Sequence, residues 1–419
     1  MNIATYHSIC DTLRGLIVGT EWEGHVFAVG GCCRDEVIGR DINDVDLAVN
    51  LRDGGVRFAQ WLYDNGLSAA RPVFFERYGT AMLQLKAFPD YEIEIVQTRK
   101  GKYTTDNASD PGSIFGTIED DGLRRDFTVN SLFFDITKRE LIDATGMGLK
   151  DIAARKLRTP MSPEMTFYDD PVRILRCIRM ASAWNWHIDS ATLKAMKEGR
   201  EGLRDIKPER RRAELEKMLL SPDPVRAMKL VRQVGVMKFL LPELQMTYRA
   251  KSKSGGSLWN KVLRTLNSVK GSADIALLYA ALLYVLADTK LTAVADKSPK
   301  SAKGANAEKA APNDCAERAI RTAVLSEVIL RRLHYHSHFL KDVLFLVRNQ
   351  YCNHRWGDVG MRAGSRILTR LTRLCVTPQR LARLLQFVEA VNIADSEPDS
   401  PLRRQVPNVR KKINKLKIK

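Results

Sequence analysis

The chain has 419 residues, 44% of them hydrophobic, enough to bury more than one core and to form two or more domains. Its net charge of +18 favours a polyanionic partner, of which nucleic acid is the commonest. No apolar run reaches the length of a membrane-spanning helix, the first twenty residues carry too few charges for a secretory signal, and seven cysteines without a Cys-x-x-Cys pair predict reduced thiols and an intracellular protein.

In chain order, His25 to Val29 reads as a short strand running into Gly30 and Gly31, whose unobstructed amides suit close approach to a triphosphate. Arg34 adds a fixed positive charge nearby. Next, Asp44-Val-Asp46-Leu reads as a strand with both carboxylates on one face and Val45, Leu47 and Val49 on the other. Two carboxylates on one face suit Mg²⁺, which takes oxygen ligands and leaves positions open for substrate phosphates. Together these residues have the layout of a metal-dependent nucleotidyl-transfer site; solvated loop acids beside a glycine turn are the plain alternative.

Tyr91 to Val96 alternates in the same way, with Glu92 and Glu94 on one face. Glu94 is the preferred third carboxylate, against an ordinary half-exposed strand. Residues 100–122 are rich in Gly, Asp, Thr and Ser and read as a long mobile loop. In Leu123-Arg-Arg-Asp-Phe-Thr-Val-Asn-Ser-Leu132, Arg124 and Arg125 suit ribose and phosphates, whereas Asp126 is equally suited to capping a helix that carries Asn130.

Asp170 and Pro171 fit the cap and first position of another helix, on which Arg173, Arg176 and Arg179 form a basic stripe opposite Ile174, Ile178 and Ala181. An ion pair between Asp170 and Arg173 on a solvated face is one reading of this spacing. The other is a base-reading edge: the carboxylate accepts from the amino group of cytosine or adenine while the arginine donates to the ring nitrogen. Guanine and uracil would leave groups unpaired there, so such an edge selects C and A.

Residues 206–245 read as amphipathic helices, with Arg210 to Arg212 on a solvated face or on RNA backbone. Apolar stretches at 274–287 and 323–347 predict core helices, separated by a flexible insertion at 292–314. His334, His336 and His338 lack a nearby acidic ligand and read as surface or phosphate-contacting residues. The basic end, from Arg403 to Lys419, is suited to RNA phosphates, a nuclear address or a solubilising tail, with phosphate contact preferred.

The glycine-arginine motif with its two aspartates is followed by Arg124-Arg125-Asp126-Phe-Thr-Val-Asn130, Asp169-Asp170-Pro-Val-Arg173 and Pro208-Glu-Arg-Arg-Arg-Ala-Glu-Leu-Glu-Lys217. In this order they resemble the class II nucleotidyltransferases, which include CCA-adding tRNA nucleotidyltransferases and bacterial poly(A) polymerases. Phe115-Gly-Thr-Ile-Glu-Asp and Leu157-Arg-Thr-Pro look most like the eukaryotic CCA-adding enzymes. The likeness spans about residues 24–245 and fades beyond.

The resemblance implies an α+β fold: a nucleotidyltransferase head with a small mixed sheet of five strands, then an all-helical neck, body and tail. The corresponding boundaries are 1–155, 156–250, 251–345 and 346–419. It makes Asp44 and Asp46 metal ligands, to which the strand alternation adds Glu94 as a further catalytic carboxylate. Gly30, Gly31, Arg34, Arg125, Asp126 and Asn130 become nucleotide contacts, Asp170 and Arg173 the template for the base, and Arg176 and Arg179 further nucleotide contacts.

Two Mg²⁺ ions, CTP and ATP as substrates, and tRNA as partner complete the expectation, with addition of C and A to the tRNA 3′ end as the activity. A poly(A) polymerase, a C-only or A-only enzyme and a non-catalytic RNA-binding protein are the alternatives. The compartment, mitochondrion, cytoplasm or nucleus, and the oligomeric state stay open. Cys33, Met180 and Asn185-Trp186 depart from the family pattern, mostly at packing positions.

Overall fold

The computed structural model describes residues 1–75, 78–101, 114–251, 256–289, 314–350, 375 and 377–395. They form two compact units, residues 1–173 with 185–199, and residues 174–184 with those from 200 onward.

The first unit opens with helix α1 (Ile3–Ile17), whose N-cap Asn2 accepts from the Thr5 amide and which buries Tyr6, Ile9, Leu13 and Ile17. Strand β1 (Val26–Val29), helix α2 (Gly31–Val37), strand β2 (Val45–Val49) and helix α3 (Gly54–Asp64) follow. Then come β3 (Val73–Phe75), β4 (Thr80–Leu85) and β5 (Phe88–Gln97). All seven strands of this unit's main sheet, including β6 (Leu132–Asp135) and β7 (Glu140–Asp143), lie in the order β3-β4-β5-β2-β1-β6-β7.

The sheet is mixed: β2 and β5 run parallel and their neighbours pair antiparallel. A parallel pair needs a crossover, and α3 begins it, packing on β2, β4 and β5. The family resemblance implies five strands, and the sheet has seven because the hairpins β3–β4 and β6–β7 each place a strand at an edge.

Alternation gives the sheet two faces. Val45, Leu47, Val49, Ile93 and Ile95 are fully or almost fully buried on one. The other carries Phe27, Val29, Ala48 and Phe133 as a small apolar cluster, with Val96 and Ile118 packed against it. Asp46 and Glu94 share this second face, because Phe27 pairs with Ala48, and Asp46 with Glu94.

Helix α4 (Ile118–Leu123) lies within the stretch read from sequence as a mobile loop. A capping box forms it: the Thr117 hydroxyl accepts from the Asp120 amide while the Asp120 carboxylate accepts from the Thr117 amide. Residues 102–113 of that predicted loop are outside the described residues. Asp126 caps no α-helix, and Asn130 ends a single 3₁₀ turn, Thr128–Asn130.

Helices α5 (Gly148–Ala153), α6 (Pro163–Asp169), α7 (Val172–Trp184) and α8 (Ser190–Gly199) continue the chain, with α7 passing from the first unit into the second. The first unit runs past residue 155 because β8 (Lys156–Leu157) pairs with β9 (His187–Ile188) and α6 packs on α8. Asn185 takes a left-handed conformation (φ 57°) just after α7, and Trp186 is buried. Cys33 and Met180 are also buried, so these departures from the family pattern are core positions.

The second unit is helical throughout its described residues: α9 (Pro208–Leu219), α10 (Pro224–Val234), α11 (Met237–Leu240), α12 (Leu258–Ser268), α13 (Ile275–Leu283), α14 (Asp314–Arg332), α15 (Ser337–Arg348) and α16 (Pro378–Asp395), with short 3₁₀ turns between some of them. Proline opens α9 and α10 where its missing amide costs nothing, and Gly235 closes α10 at φ 84°. The apolar stretch 323–347 is two helices rather than one, broken where His334 turns left-handed (φ 57°). The predicted insertion at 292–314, apart from Asp314, and the basic segment 403–419 lie outside the described residues.

Candidate active site

Val29 leaves the sheet into Gly30, which adopts φ 76° and so favours glycine. A Cβ there would also meet a terminal nitrogen of Arg125 at 2.8 Å. Gly31 starts α2 and Arg34 follows one turn later. The Arg34 guanidinium is fixed rather than loose: it binds both Asp35 carboxylate oxygens and donates to Asn130 Oδ1. Asn130 Nδ2 in turn donates to Asp126 Oδ1 at 2.8 Å. Four predicted or neighbouring polar residues thus form one chain of contacts, Asp126 to Asn130 to Arg34 to Asp35, with Asp126 and Asn130 acting on Arg34.

Asp44 is exposed just ahead of β2, and Asp46 is half-buried within it. Asp46 pairs directly with Glu94 across the parallel strands. Glu94 opens to solvent on one side, yet the protein packed round it, followed by the charges of Asp44 and Glu92, holds its carboxyl above the usual range. A folded-state pKa that is raised means that ionised Glu94 opposes folding above that pKa, and the penalty disappears as pH falls through it. Glu94→Gln is therefore expected to raise the melting temperature of the metal-free protein at neutral pH; an unchanged or lowered value would contradict this crowding.

Asp121, absent from the residues singled out in the sequence, organises the other wall. It is fully buried. Its Oδ1 accepts from Arg124 and from the Arg99 amide, and its Oδ2 accepts from Arg125 Nε and from a terminal nitrogen at 2.9 Å. Burial alone would raise its pKa, but Arg125 and Arg124 hold the carboxyl below the usual range. Burial pushes Arg124 down to about 10 despite Asp121, whereas Asp121, with Asp46 and Asp126, outweighs burial for Arg125 and raises it. The Arg125 guanidinium also lies 5.0 Å from the Phe133 ring centroid.

The signal for Asp121 was present in the sequence as an acid three and four residues before two arginines. Asp121→Ala would strand two partly buried guanidinium groups and is expected to cost about 3 kcal/mol, read from denaturant unfolding. A loss under about 1 kcal/mol would show that the arginines hold their places without it.

Asp170 lies between α6 and α7, with Oδ1 accepting from the Val172 amide at 3.1 Å. The Arg173 amide donates to the Asp170 carbonyl at 3.0 Å, and a terminal nitrogen of Arg173 donates to the Arg124 carbonyl at 2.7 Å. The pair sits one turn apart at the start of α7, and the arginine is tied to the segment that carries Arg125. Arg176 is half-buried further along α7, and Arg179 binds Glu214 at 2.8 Å within the second unit, where Glu214 is buried.

Among the described residues no three His, Cys, Asp or Glu side chains form a ready metal cage. That donor set fits a hard cation all the same, since Mg²⁺ is commonly held by one or two carboxylates completed by substrate phosphates and water. His334 pairs with Glu209, and His338 lies 3.9 Å from Asp342, so two of the three clustered histidines face carboxylates. Glu209 comes from the distant helix α9, whereas Asp342 lies one turn further along the same helix as His338 and was legible in the sequence.

A mixed sheet presenting two or three carboxylates beside a glycine turn and fixed arginines has the layout expected of a nucleotidyltransferase head. Residues 26–158 match the family model described as "Poly A polymerase head domain", and residues 185–247 match "Probable RNA and SrmB- binding site of polymerase A". In sequence the chain is similar to class II nucleotidyltransferases, among them eukaryotic CCA-adding enzymes.

It is 35% identical over 225 residues to the mitochondrial CCA tRNA nucleotidyltransferase of Candida glabrata, a stretch covering 49% of this chain and 41% of that protein. To the Schizosaccharomyces pombe tRNA nucleotidyltransferase cca1 it is 33% identical over 254 residues, 56% of this chain and 49% of that one. The matches thus span about half or less of these relatives. A tRNA nucleotidyltransferase solved with a primer tRNA and an incoming ATP analogue shares the fold, with TM-score 0.63 at 18% identity over 94% of this chain and 97% of its own.

Proposed function

We propose that this chain adds C and A to the 3′ end of tRNA, building or repairing its CCA terminus from CTP and ATP without a nucleic-acid template. The observation that carries the reading is the parallel register that sets Asp46 beside Glu94, flanked on one side by Gly30, Gly31, Arg34 and Arg125. The relatives' names support tRNA as the acceptor.

In the reaction the RNA 3′-oxygen attacks the α-phosphorus of the incoming nucleotide, a new phosphodiester forms, the bond to pyrophosphate breaks, and the hydroxyl proton is lost to solvent. Gly30 and Gly31 would let the triphosphate approach the start of α2, and Arg34 and Arg125 would meet its charge from fixed positions. Asp44 and Asp46 would hold Mg²⁺, with Glu94 beside them; when bound, the ions lower the 3′-hydroxyl pKa and stabilise departing pyrophosphate. Asp170 and Arg173 would offer the base an acceptor beside a donor, with Arg176 and Arg179 as further nucleotide contacts. In this scheme the head comprises 1–155, the neck 156–250, the body 251–345 and the tail 346–419.

Similarity to a mitochondrial enzyme supports a mitochondrial or other intracellular site of action. Among the described residues no helix is long and apolar enough to cross a membrane. The family description of the head keeps poly(A) synthesis as the second reading.

The deciding experiment supplies each nucleotide singly and together to the purified chain with Mg²⁺, on tRNA lacking its CCA and on unstructured RNA, and sequences the product ends. Termination after CCA on tRNA alone is expected. Long A-tails on any RNA would establish the second reading, and addition of one base type would mean a partial enzyme.

A further inference from the structure

Helix α14 (Asp314–Arg332) is apolar on two sides. On one, Ala319, Ala323, Ile329 and Leu330 are buried, and the helix packs on α15. On the other, Ile320, Val324 and Val328 recur every four residues and remain 60%, 36% and 62% exposed. A surface helix ordinarily carries a single apolar stripe, and β-branched residues are weak helix formers, so three of them aligned in water gain neither burial nor helix stability.

The flanking charges indicate what covers the stripe. Glu317 pairs with Arg321 at 2.5 Å and Glu327 with Arg331 at 2.6 Å, each across one turn of the helix. About Val324 the residues are their own reversed complement: Ile320 and Val328 lie four residues to either side, Arg321 and Glu327 three, Glu317 and Arg331 seven. At 3.6 residues per turn, all seven fall within about 60° of the direction in which Val324 points.

We infer that this face of α14 binds the same face of a second copy of the chain, as an antiparallel helix pair with its twofold axis through Val324. Such an axis brings each residue opposite the one at the same distance on the other side of Val324. Val324 then meets its own copy, Ile320 meets Val328, Arg321 meets Glu327 and Glu317 meets Arg331, so apolar faces apolar and every charge faces its opposite. A parallel pair would instead set Glu317 against Glu317 and Arg331 against Arg331. The outermost charges lie about 21 Å apart along the helix, and a crossing angle near 20° keeps both ends within reach. Two glutamates balance two arginines on this face, so it has no net attraction for RNA phosphates. The inference is independent of the proposed nucleotidyl transfer.

One helix pair is small beside the roughly 1,200 Å² of a stable interface, so the dimer is expected to be reversible, with Kd of roughly 1–100 μM. Sedimentation equilibrium of the full chain without RNA, up to about 0.5 mM, measures it. Glu317→Arg with Glu327→Arg makes the charges of the face all positive, and Arg321→Glu with Arg331→Glu makes them all negative. Each double variant is expected to self-associate at least about tenfold more weakly, and an equimolar mixture of the two to form a dimer at least as tight as that of the unaltered chain.

Register has its own readout. Val324→Cys alone, and a mixture of Ile320→Cys with Val328→Cys, should form an intermolecular disulfide under mild oxidation beyond any that the unaltered chain gives, whereas Ile320→Cys alone should not. An unaltered chain that stays monomeric at about 0.5 mM overturns the proposal. So does a dimer that both charge variants keep, since it forms through another surface, and so does a mixture of folded variants that fails to associate. Should a charge variant lose its helical circular dichroism, the cysteines decide alone: Ile320→Cys crosslinking as well by itself as with Val328→Cys overturns the antiparallel pair.

Discussion

Asp46→Ala is expected to lower CMP and AMP incorporation by about 10³-fold or more while tRNA affinity stays within about twofold, because the lost term is metal-dependent stabilisation worth several kcal/mol and each ~1.4 kcal/mol is tenfold in rate. Asp46 occupies the centre of the site: it pairs with Glu94 on β5, and its charge helps to raise the Arg125 pKa. Asn at the same place keeps the shape of the side chain and removes its charge, so Asp46→Asn separates charge from packing and should lose nearly as much. Incorporation rates in single-turnover assays, with binding measured separately by filter retention, check both. Incorporation that persists in Asp46→Ala would remove the metal role from this residue, and tRNA affinity lost together with rate would mean that the substitution disturbs more than the chemistry.

Arg173→Ala is expected to reduce the preference for CTP over UTP, read as the ratio of kcat/KM values, from about 10³ to about 30-fold. The argument is one of pairing. Uracil on the intact edge would set a carbonyl against the Asp170 carboxylate and an N–H against the Arg173 guanidinium, leaving unpaired groups that each cost about 1–3 kcal/mol. Without the guanidinium only half of that discrimination survives. Arg173 also donates to the Arg124 carbonyl, so its loss should cost a further ~1 kcal/mol of stability. Arg173→Lys, which keeps charge without the fork, should retain fold stability better than it retains selection. An unchanged preference in Arg173→Ala would assign base choice elsewhere.

The sequence was most legible where chemistry depends on local spacing. Alternation put Asp44 with Asp46, and Glu92 with Glu94; the strand Phe88–Gln97 keeps the second pair on one face, whereas the strand Val45–Val49 contains Asp46 and starts just after Asp44. Pro208 and Pro224 open helices, and Asp170 caps through its side chain to Val172, as proline position and cap chemistry require. It was least legible between 100 and 122, where an abundance of Gly, Asp and Thr pointed to a loop although Thr117 and Asp120 form a capping box for α4. Composition outweighed a four-residue motif that favours helix.

Polar residues were also sorted differently by the fold. Arg179 read as a member of one basic stripe, but Glu214, thirty-five residues on, binds it. Asp126 and Asn130 read as ligand contacts, yet they bind each other and Asn130 accepts from Arg34. A buried guanidinium or amide needs partners wherever the chain brings them, and spacing along the sequence does not reveal partners that are distant in it.

What the sequence determined by itself was which residues share a strand face and where helices begin, both set by backbone geometry within a few residues, together with a motif order that resembles the class II nucleotidyltransferases. Only the tertiary structure decided that Glu94 lies against Asp46 and that Asp121 gathers Arg124, Arg125 and the Arg99 amide. The physical reason is that pairing partner and register between strands distant in sequence follow from burying both faces of one sheet at once, a condition that no single segment can express.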